Sequence, residues 1–168
     1  AVSLIGQIER FDNLVIMRSL TKAYAIPGLR LGYIVSQPYN IGQLLRIKQP
    51  WTVNALALAA GKFIFENHTS VQPPVEQLIS DRNVFLQQLK ANDSCYFQAT
   101  STHFFLGKTH VRNAAQLKTF LIEKYGILIR DAGNFRGLSR QHFRIATLSA
   151  EKNLLLVEAL SEWKNLYY

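Results

Sequence analysis

The 168-residue sequence contains a single cysteine, Cys95, and no long run of apolar residues. A lone cysteine has no internal partner, which excludes a disulfide framework and favours a reducing compartment. No apolar run approaches the ~20 residues needed to span a bilayer, and the apolar start at residues 1–5 is too short for a signal peptide. We therefore expect a cytoplasmic protein with no membrane partner.

Acidic residues are also scarce, and their absence is concentrated in one segment. The 19 Lys and Arg residues outnumber the 11 Asp and Glu residues, for a net charge of +8, and residues 13–65 contain no acid. The six bases of that segment are Arg18, Lys22, Arg30, Arg46, Lys48 and Lys62. A second local excess consists of Arg130, Arg136, Arg140 and Arg144 around Asp131. Both segments are suited to binding anions, although a solvated basic face or a nucleic-acid-binding patch has the same composition.

The first half of the chain has the pattern of an α/β protein. A content of 48% hydrophobic and 18% charged residues argues against intrinsic disorder. Near-continuous apolar residues at 14–17 and 29–35 predict short buried strands of a sheet covered on both faces. Helical patterns follow at 41–48 and 53–65, with Pro50 between them.

The second half predicts a smaller α+β unit. Pro73-Pro74 opens a long helix that should end near Asn92, with a stripe formed by Val75, Leu78, Ile79, Arg82, Leu86 and Leu89. The later elements are a strand-like stretch at 95–106, a helix capped by Asn113 and ended by Gly126, strands at 127–130 and 143–148, and a helix capped by Ser149 with Leu156, Leu160 and Trp163 on one stripe. We place a domain boundary near residue 92, which gives domains 1–92 and 93–168.

The residues with the clearest chemistry lie between the two predicted strands of the first half. Lys22 is expected in a loop after a buried strand, where burial and neighbouring cations favour the neutral, nucleophilic amine that forms Schiff bases. Ser19 offers a hydroxyl, and Arg30 offers a planar guanidinium suited to bidentate phosphate binding. Together these groups could hold a phosphorylated carbonyl compound, but the three residue types are common, and alone they are a weak signal.

This segment resembles the lysine signature of the fold type I pyridoxal-phosphate enzymes, the aspartate aminotransferase superfamily. The resemblance is in the serine three residues before the lysine, the arginine eight residues after it, and the sequence Pro-Gly-Leu-Arg-Leu-Gly-Tyr at 27–33. It implies an α/β fold, namely the C-terminal part of the pyridoxal-phosphate-binding large domain followed by a small α+β domain. It also implies that Lys22 binds the cofactor covalently and transfers protons, while Ser19 and Arg30 bind the cofactor phosphate.

Within that superfamily the sequence is similar to the histidinol-phosphate aminotransferases and more similar to the L-threonine-O-3-phosphate decarboxylases of cobalamin biosynthesis. The similarity is in Arg-Ser-Leu-Thr-Lys-Ala-Tyr-Ala-Ile-Pro-Gly at 18–28, Gln-Pro-Trp-Thr-Val-Asn-Ala-Leu-Ala at 49–57, and Ile-Leu-Ile-Arg at 127–130 with Asn134, Gly137 and Leu138 after it. The aminotransferases usually have Leu-Ala-Gly or Pro-Ala-Gly at 26–28, and a Tyr or Phe with Asn at 51–52. These differences favour the decarboxylase, with the aminotransferase as the alternative.

The same resemblance assigns two substrate-binding residues. Arg144 matches the arginine that pairs with the substrate α-carboxylate, and Arg130 matches the arginine that phosphorylated-substrate members direct at the substrate phosphate. Trp51 and Asn54 belong to a segment that lies near the active site in the superfamily, sometimes that of the neighbouring subunit. The resemblance therefore implies a small phosphorylated amino-acid substrate and, for the whole enzyme, a homodimer.

The sequence disfavours a metal site, a nucleic-acid-binding domain and a degenerate scaffold. The four histidines are scattered without carboxylates or cysteine at ligand spacing, so we expect no metal site. A nucleic-acid-binding domain predicts an Arg/Lys-rich helix or an RNA-binding aromatic motif, which the sequence lacks. A degenerate scaffold is disfavoured by the intact set of Ser19, Lys22 and Arg30. The family enzymes are considerably longer, and the aspartate that pairs with the pyridine nitrogen lies upstream in them. We therefore expect a fragment with poor cofactor binding and little activity.

Overall fold

The computed structural model describes residues 3–168, and the chain divides into two compact units at Pro73/Pro74. The long helix before Asn92 belongs to the second unit, because it packs against a strand and the last helix there. Its buried side chains, Phe85 and Leu89, are part of that unit's core. The division between the compact units therefore falls about one helix earlier in the sequence than the predicted domain boundary near residue 92, which stays a prediction.

The first unit is built around one antiparallel hairpin. Its elements are a 3-10 helix (Ile5–Arg10), β1 (Val15–Ser19), α1 (Leu20–Ala23), a 3-10 helix (Pro27–Leu29), β2 (Gly32–Ser36), α2 (Pro38–Ile47) and α3 (Ala55–Glu66). β1 and β2 pair from Val15 opposite Ser36 to Ser19 opposite Gly32. The small core of buried residues is Leu20, Leu31 and Ala57, with Tyr24, Ile26, Leu29, Tyr33 and Val53 packed around it.

The prediction that these strands are buried on both faces is wrong for this chain. Most residues of β1 are exposed, and Met17 keeps 77% of its surface accessible. The described residues supply only these two strands to this sheet, so no third strand flanks their apolar side chains. A near-continuous apolar composition shows that the strands are suited to burial. Whether they are buried depends on elements that are distant in the sequence.

The second unit is a four-stranded antiparallel sheet with helices on one face. Its elements are α4 (Val75–Asn92), β3 (Cys95–Phe97), β4 (Phe104–Thr109), α5 (Ala114–Tyr125), β5 (Arg130–Asp131), β6 (His142–Ala146) and α6 (Ala150–Tyr167). The strand order is β3-β4-β6-β5, so β5 is an edge strand. Alternate residues of β6 are buried, and Phe143 and Ile145 join a core that includes Phe105, Leu117, Leu160 and Trp163. The other face of the sheet is left with the exposed residues of each strand.

Local signals in the second unit were predicted with mixed success. The Asn113 side chain accepts a hydrogen bond from the Gln116 backbone N–H, and Gly126 ends α5 with φ of 65°, so both predicted ends of this helix are confirmed. Ser149 stands at the start of α6 but makes no side-chain capping bond. The stretch at 95–106 contains two strands with a turn between them, and the strand expected at 127–130 is only Arg130–Asp131. Among the described residues, no helix has both the length and the apolar character needed to cross a membrane.

Candidate functional site

The closed end of the first unit's hairpin brings Ser19 and Arg30 to one cavity. Ser19 is the last residue of β1 and pairs with Gly32, the first residue of β2. Both Ser19 and Arg30 line a cavity of about 440 Å³ together with Thr21. A Cβ atom at Gly32 would lie 2.6 Å from the Arg18 carbonyl oxygen, so the hairpin can close here only with glycine. The close strand approach therefore positions the serine next to the loop that contains the arginine.

The connection between the strands is folded by its own hydrogen bonds. The Leu20 N–H donates to the Leu31 carbonyl oxygen (3.1 Å), and the Ile26 N–H donates to the Thr21 carbonyl oxygen (3.0 Å). Arg30 adopts the left-handed conformation (φ 54°, ψ 40°), and its Nη1 donates to the Pro27 carbonyl oxygen at 3.0 Å. A left-handed non-glycine residue costs about 1–2 kcal/mol. Such strain at a residue that lines a cavity is typical of functional positions.

Lys22 lies in α1, within the connection between the two cavity residues. The prediction of a loop position is wrong, because a single helical turn forms immediately after β1. Its side chain is exposed, so the expected burial of the amine is not present in this chain, and Lys22 is not among the residues that line the cavity. The backbone nevertheless fixes its place, since the Tyr24 N–H donates to the Leu20 carbonyl oxygen.

Thr21 is a site residue that the sequence interpretation missed. It is only 4% exposed, and its hydroxyl lies 2.9 Å from the hydroxyl of Ser19, within hydrogen-bond distance. The buried hydroxyl orients the exposed one, because one of the two groups donates a hydrogen bond to the oxygen of the other. The available signal was a second hydroxyl residue directly before the lysine. The cavity therefore offers two hydroxyl groups and a guanidinium.

Asn54 contributes to the first unit by holding the loop and α3 together. Its Oδ1 accepts from the Ala57 N–H at 2.8 Å and caps α3, while its Nδ2 donates to the Leu29 carbonyl oxygen at 3.5 Å. Trp51, in contrast, is 96% exposed with a left-handed backbone (φ 60°). A tryptophan in that conformation without packing contacts is an outlier. The structure thus gives Asn54 a structural role and leaves Trp51 without one in this chain.

The two predicted substrate arginines lie opposite each other in the second unit. Arg130 of β5 pairs with Arg144 of β6 in the antiparallel ladder, so both side chains are on the same face of the sheet. Both are exposed, on the face opposite the core residues Phe143 and Ile145. The Arg144 guanidinium lies 5.3 Å from the centre of the Phe104 ring. Neither arginine forms a salt bridge within residues 3–168.

This arginine pair is electrostatically unfavourable without an anion. Directly opposite residues have Cβ atoms about 4.5–5.5 Å apart, and like charges at such positions are destabilising. Lys108 and His142 occupy the next paired position on the same face. The exposed face of the sheet therefore carries a local excess of positive charge and of hydrogen-bond donors, which suits a ligand with more than one anionic group.

Other reactive groups offer less. Burial raises the pKa of the Cys95 thiol to about 12, so it stays protonated at neutral pH. In the described part of the chain, no group of three or more His, Cys, Asp or Glu residues is placed to hold a metal ion. The chemistry of this chain is therefore concentrated in the lysine, the hydroxyl and arginine groups of the first unit, and the arginine pair of the second.

Comparisons with known proteins agree with this arrangement. Residues 1–160 match the model of the family described as aminotransferase class I and II. A Caldanaerobacter subterraneus subsp. tengcongensis protein assigned as a threonine-phosphate decarboxylase is 37% identical over 153 residues, 91% of this chain and 41% of the relative. A histidinol-phosphate aminotransferase of the same organism is 30% identical over 160 residues, 95% of this chain and 44% of the relative.

A solved structure gives the same result for the fold. L-threonine-O-3-phosphate decarboxylase from Porphyromonas gingivalis aligns with a TM-score of 0.90 and 36% identity, over 96% of this chain and 50% of that chain. The chain thus spans about half or less of the length of these relatives. The predicted fold, the C-terminal part of a large α/β domain with a small α+β domain, is confirmed. Because the family model matches nearly the whole sequence, the chain belongs to the pyridoxal-phosphate-dependent aminotransferase class I and II family.

Proposed function

We propose that this chain is the C-terminal part of a decarboxylase that converts L-threonine O-3-phosphate to (R)-1-amino-2-propanol O-2-phosphate and carbon dioxide for cobalamin biosynthesis. The observation that carries the proposal is the exposed pair of Arg130 and Arg144 on one sheet face. The substrate has a carboxylate and a phosphate, and each guanidinium can form a bidentate pair with one of them. The similarity to threonine-phosphate decarboxylases supports this substrate.

The cavity of the first unit fits the phosphate of pyridoxal phosphate. Ser19 and Thr21 supply hydroxyl groups 2.9 Å apart, Arg30 supplies a guanidinium, and Gly32 leaves no side chain at the closed end of the hairpin. This combination of neutral donors and one planar cation is suited to a phosphate monoester. When bound, the cofactor supplies an electron sink for the carbanion formed at the substrate Cα.

Each residue then has a defined task in the proposed reaction. The amine of Lys22 is the nucleophile that attaches the cofactor, and Lys22 delivers a proton to the substrate Cα after carbon dioxide leaves. Arg144 holds the carboxylate, and Arg130 holds the phosphate. Fixing both ends of the substrate orients the bond to the carboxylate carbon for cleavage, since two anchored groups leave the Cα little rotational freedom.

Amino transfer is the second candidate, supported by the similarity to a histidinol-phosphate aminotransferase. That reaction uses the same groups. In amino transfer Lys22 removes the proton from Cα, whereas in decarboxylation it delivers a proton to Cα after carbon dioxide has left. The difference depends on which bond is oriented for cleavage. The two reactions are separated by carbon dioxide release from O-phospho-L-threonine and by amino transfer from glutamate to imidazole acetol phosphate.

The test uses the whole polypeptide that contains this chain, with Lys22→Ala and the matched variant Lys48→Ala. Lys48 is an exposed lysine of the same acid-free segment. We expect visible cofactor absorbance and carbon dioxide release in the wild type and in Lys48→Ala, and loss of both in Lys22→Ala. Amino transfer without decarboxylation would replace the substrate assignment. No cofactor absorbance in the wild type would contradict the proposal altogether.

Two further properties belong to the same proposal. We infer that the isolated 168 residues bind the cofactor poorly and have little activity, since the relatives are about twice as long. Enzyme-like turnover by a purified 168-residue chain would refute this. We also infer a homodimer for the whole enzyme, because α3 exposes the apolar side chains of Leu56, Leu58 and Phe63, and light scattering measures that state directly.

A further inference from the structure

Phe104 is an aromatic residue on the exposed face of the four-stranded sheet, close to Arg144. It is the first residue of β4, and it keeps 37% of its surface accessible. In the ladder it pairs with Ala146, which follows Arg144 by two residues on β6. Diagonal neighbours of this kind are within reach of aromatic and long side chains. The 5.3 Å between the Arg144 guanidinium and the centre of the Phe104 ring is a distance at which an aromatic face attracts a cation.

The residues paired with Arg144 do not hold its guanidinium in place. They are Leu106, which has an aliphatic side chain, and Arg130, which carries the same charge. No carboxylate of the described residues forms a salt bridge with Arg144. The Phe104 ring therefore supplies an attraction to this guanidinium that neither paired residue supplies.

The start of β4 holds the Phe104 ring in place. The Thr102 hydroxyl donates to the Phe104 carbonyl oxygen at 3.0 Å, and the Thr147 N–H donates to the His103 carbonyl oxygen at 2.8 Å. The His103 ring packs edge to face on the Phe104 ring with the ring centres 5.7 Å apart. The ring is thus fixed through its backbone and by a second ring. A fixed ring restricts the rotamers of the long arginine side chain beside it.

We propose that Phe104 is a positioning residue, whose ring holds the Arg144 guanidinium ready for the substrate carboxylate. A guanidinium has five N–H donors in its plane. The ring attracts the cation but takes up none of these donors, as a carbonyl oxygen would, so a bidentate pair with a carboxylate stays available. Ordering Arg144 before the substrate arrives reduces the side-chain entropy that is lost on binding. This role rests on the proposed function, because it requires Arg144 to bind a carboxylate.

The test compares a ligand that has the carboxylate with one that lacks it, using the whole polypeptide with its cofactor. We expect Phe104→Leu to lower kcat/KM for O-phospho-L-threonine by about two- to fivefold, the effect of losing one exposed cation–π contact. The inhibition constant of the carboxylate-free product, (R)-1-amino-2-propanol O-2-phosphate, should not change. Phe104→Tyr retains the ring and should retain the wild-type kcat/KM. Tyr96→Leu is the matched control, because Tyr96 is an exposed aromatic residue of the same face that pairs with Lys108.

A spectroscopic measurement tests the contact without substrate. In the polypeptide with isotopically labelled arginine, the side-chain resonances of Arg144, assigned with Arg144→Gln, should be displaced by the ring current in the wild type and in Phe104→Tyr, but not in Phe104→Leu. Phe104→Leu should also cause no further loss of kcat/KM in the Arg144→Gln background, since the ring acts through that arginine.

The remaining outcomes separate this role from the proposed function. Equal weakening of both ligands by Phe104→Leu, a further loss in the Arg144→Gln background, or the absence of a ring-current displacement overturns the positioning role. Amino transfer from glutamate without decarboxylation refutes the proposed function alone. A fall in kcat/KM for glutamate in Phe104→Leu then still supports the positioning role, because glutamate also has an α-carboxylate, and an unchanged value overturns it.

Discussion

Gly107 lies in the core of the second unit, where two phenylalanine rings leave no space for an added side chain. Gly107 of β4 pairs with Phe143 of β6, and Phe143 directly precedes Arg144, the candidate carboxylate-binding residue. A Cβ atom at this position would lie 2.6 Å from Cζ of Phe143 and 2.8 Å from Cε1 of Phe97. Carbon atoms in van der Waals contact are about 3.5–4.0 Å apart. Gly107→Ala therefore forces a ring displacement of roughly 1 Å in the core.

The expected cost follows from three opposing contributions. Overpacking a core costs about 1–3 kcal/mol, whereas a buried methyl contributes about 0.8 kcal/mol and the lower entropy of the unfolded alanine chain contributes about 0.4–1 kcal/mol. The Phe143 ring is fully buried and packs edge to face on Phe97 with ring centres 5.9 Å apart, so neither ring can swing into solvent. The high end of the overpacking range therefore applies, and we expect Gly107→Ala to lose about 1–2 kcal/mol.

Thermal and urea unfolding followed by circular dichroism measure this loss. One to two kcal/mol corresponds to a fall in Tm of about 2–8 °C for a chain of this size. Gly42→Ala is the control, because Gly42 lies in α2 with nothing within 4 Å of an added Cβ. It is expected to raise stability by about 0.5–1 kcal/mol through helix propensity. If Gly107→Ala were as stable as the wild type, the described packing of the two rings would be refuted.

Three further predictions concern single contacts. Thr21→Val removes the hydroxyl partner of Ser19, so the affinity of the whole polypeptide for the cofactor should fall by roughly fivefold in an absorbance titration. An unchanged affinity would show that the pair does not orient the serine. Burial raises the pKa of Cys95 from 9.0 to about 12, which lowers its thiolate fraction near neutral pH by about 1,000-fold. Alkylation of Cys95 should therefore be slower in the folded protein than in urea by that factor, and comparable rates would contradict the burial. Asn113→Ala removes the cap on the Gln116 N–H and should lower the free energy of unfolding in urea by about 1 kcal/mol. Asn113→Asp should retain most of the stability that the cap contributes, and equal losses in the two variants would exclude capping as the cause.

The parts of the fold that the sequence predicted are those that depend on neighbouring residues. Asn113 and Gly126 define α5 because a side-chain oxygen satisfies a free N–H at one end and glycine adopts a left-handed conformation at the other. The α6 stripe of Leu156, Leu160 and Trp163 is buried as its spacing predicts. Such features follow from helix geometry alone, so a single sequence is enough to find them.

The parts that the sequence did not predict depend on elements far apart in the chain. The stripe of α4 was placed correctly at Leu89, but Val75 is 57% exposed, because only the later turns of the helix reach the core. The apolar strands of the first unit are predicted to be buried. In the structure Met17 is exposed, because the described residues supply no further strand to that sheet. The sequence did not indicate Thr21, because its hydroxyl contributes to the site only through its contact with the Ser19 hydroxyl, which the fold creates.

The candidate site was located mainly through the resemblance, and the structure adds a physical argument that is independent of it. Two local rules are broken at the cations that the resemblance assigns to anions. Arg30 is left-handed, at a cost of about 1–2 kcal/mol, and Arg130 faces Arg144 across the ladder, at a cost of up to about 1 kcal/mol.

Neither violation alone is diagnostic, because Arg112 is left-handed as well. Arg112 differs in that its guanidinium lies 4.0 Å from the centre of the Tyr167 ring, a contact that offsets the strain within the fold. Arg30 has only the Pro27 carbonyl oxygen, in a cavity that also contains two hydroxyl groups. Arg130 and Arg144 lie farther from aromatic rings than Arg112 does, at 6.0 Å from Phe135 and 5.3 Å from Phe104, and have no acidic partner in residues 3–168. Stability is therefore lost where an anion can restore it, which is the pattern expected when local strain serves binding.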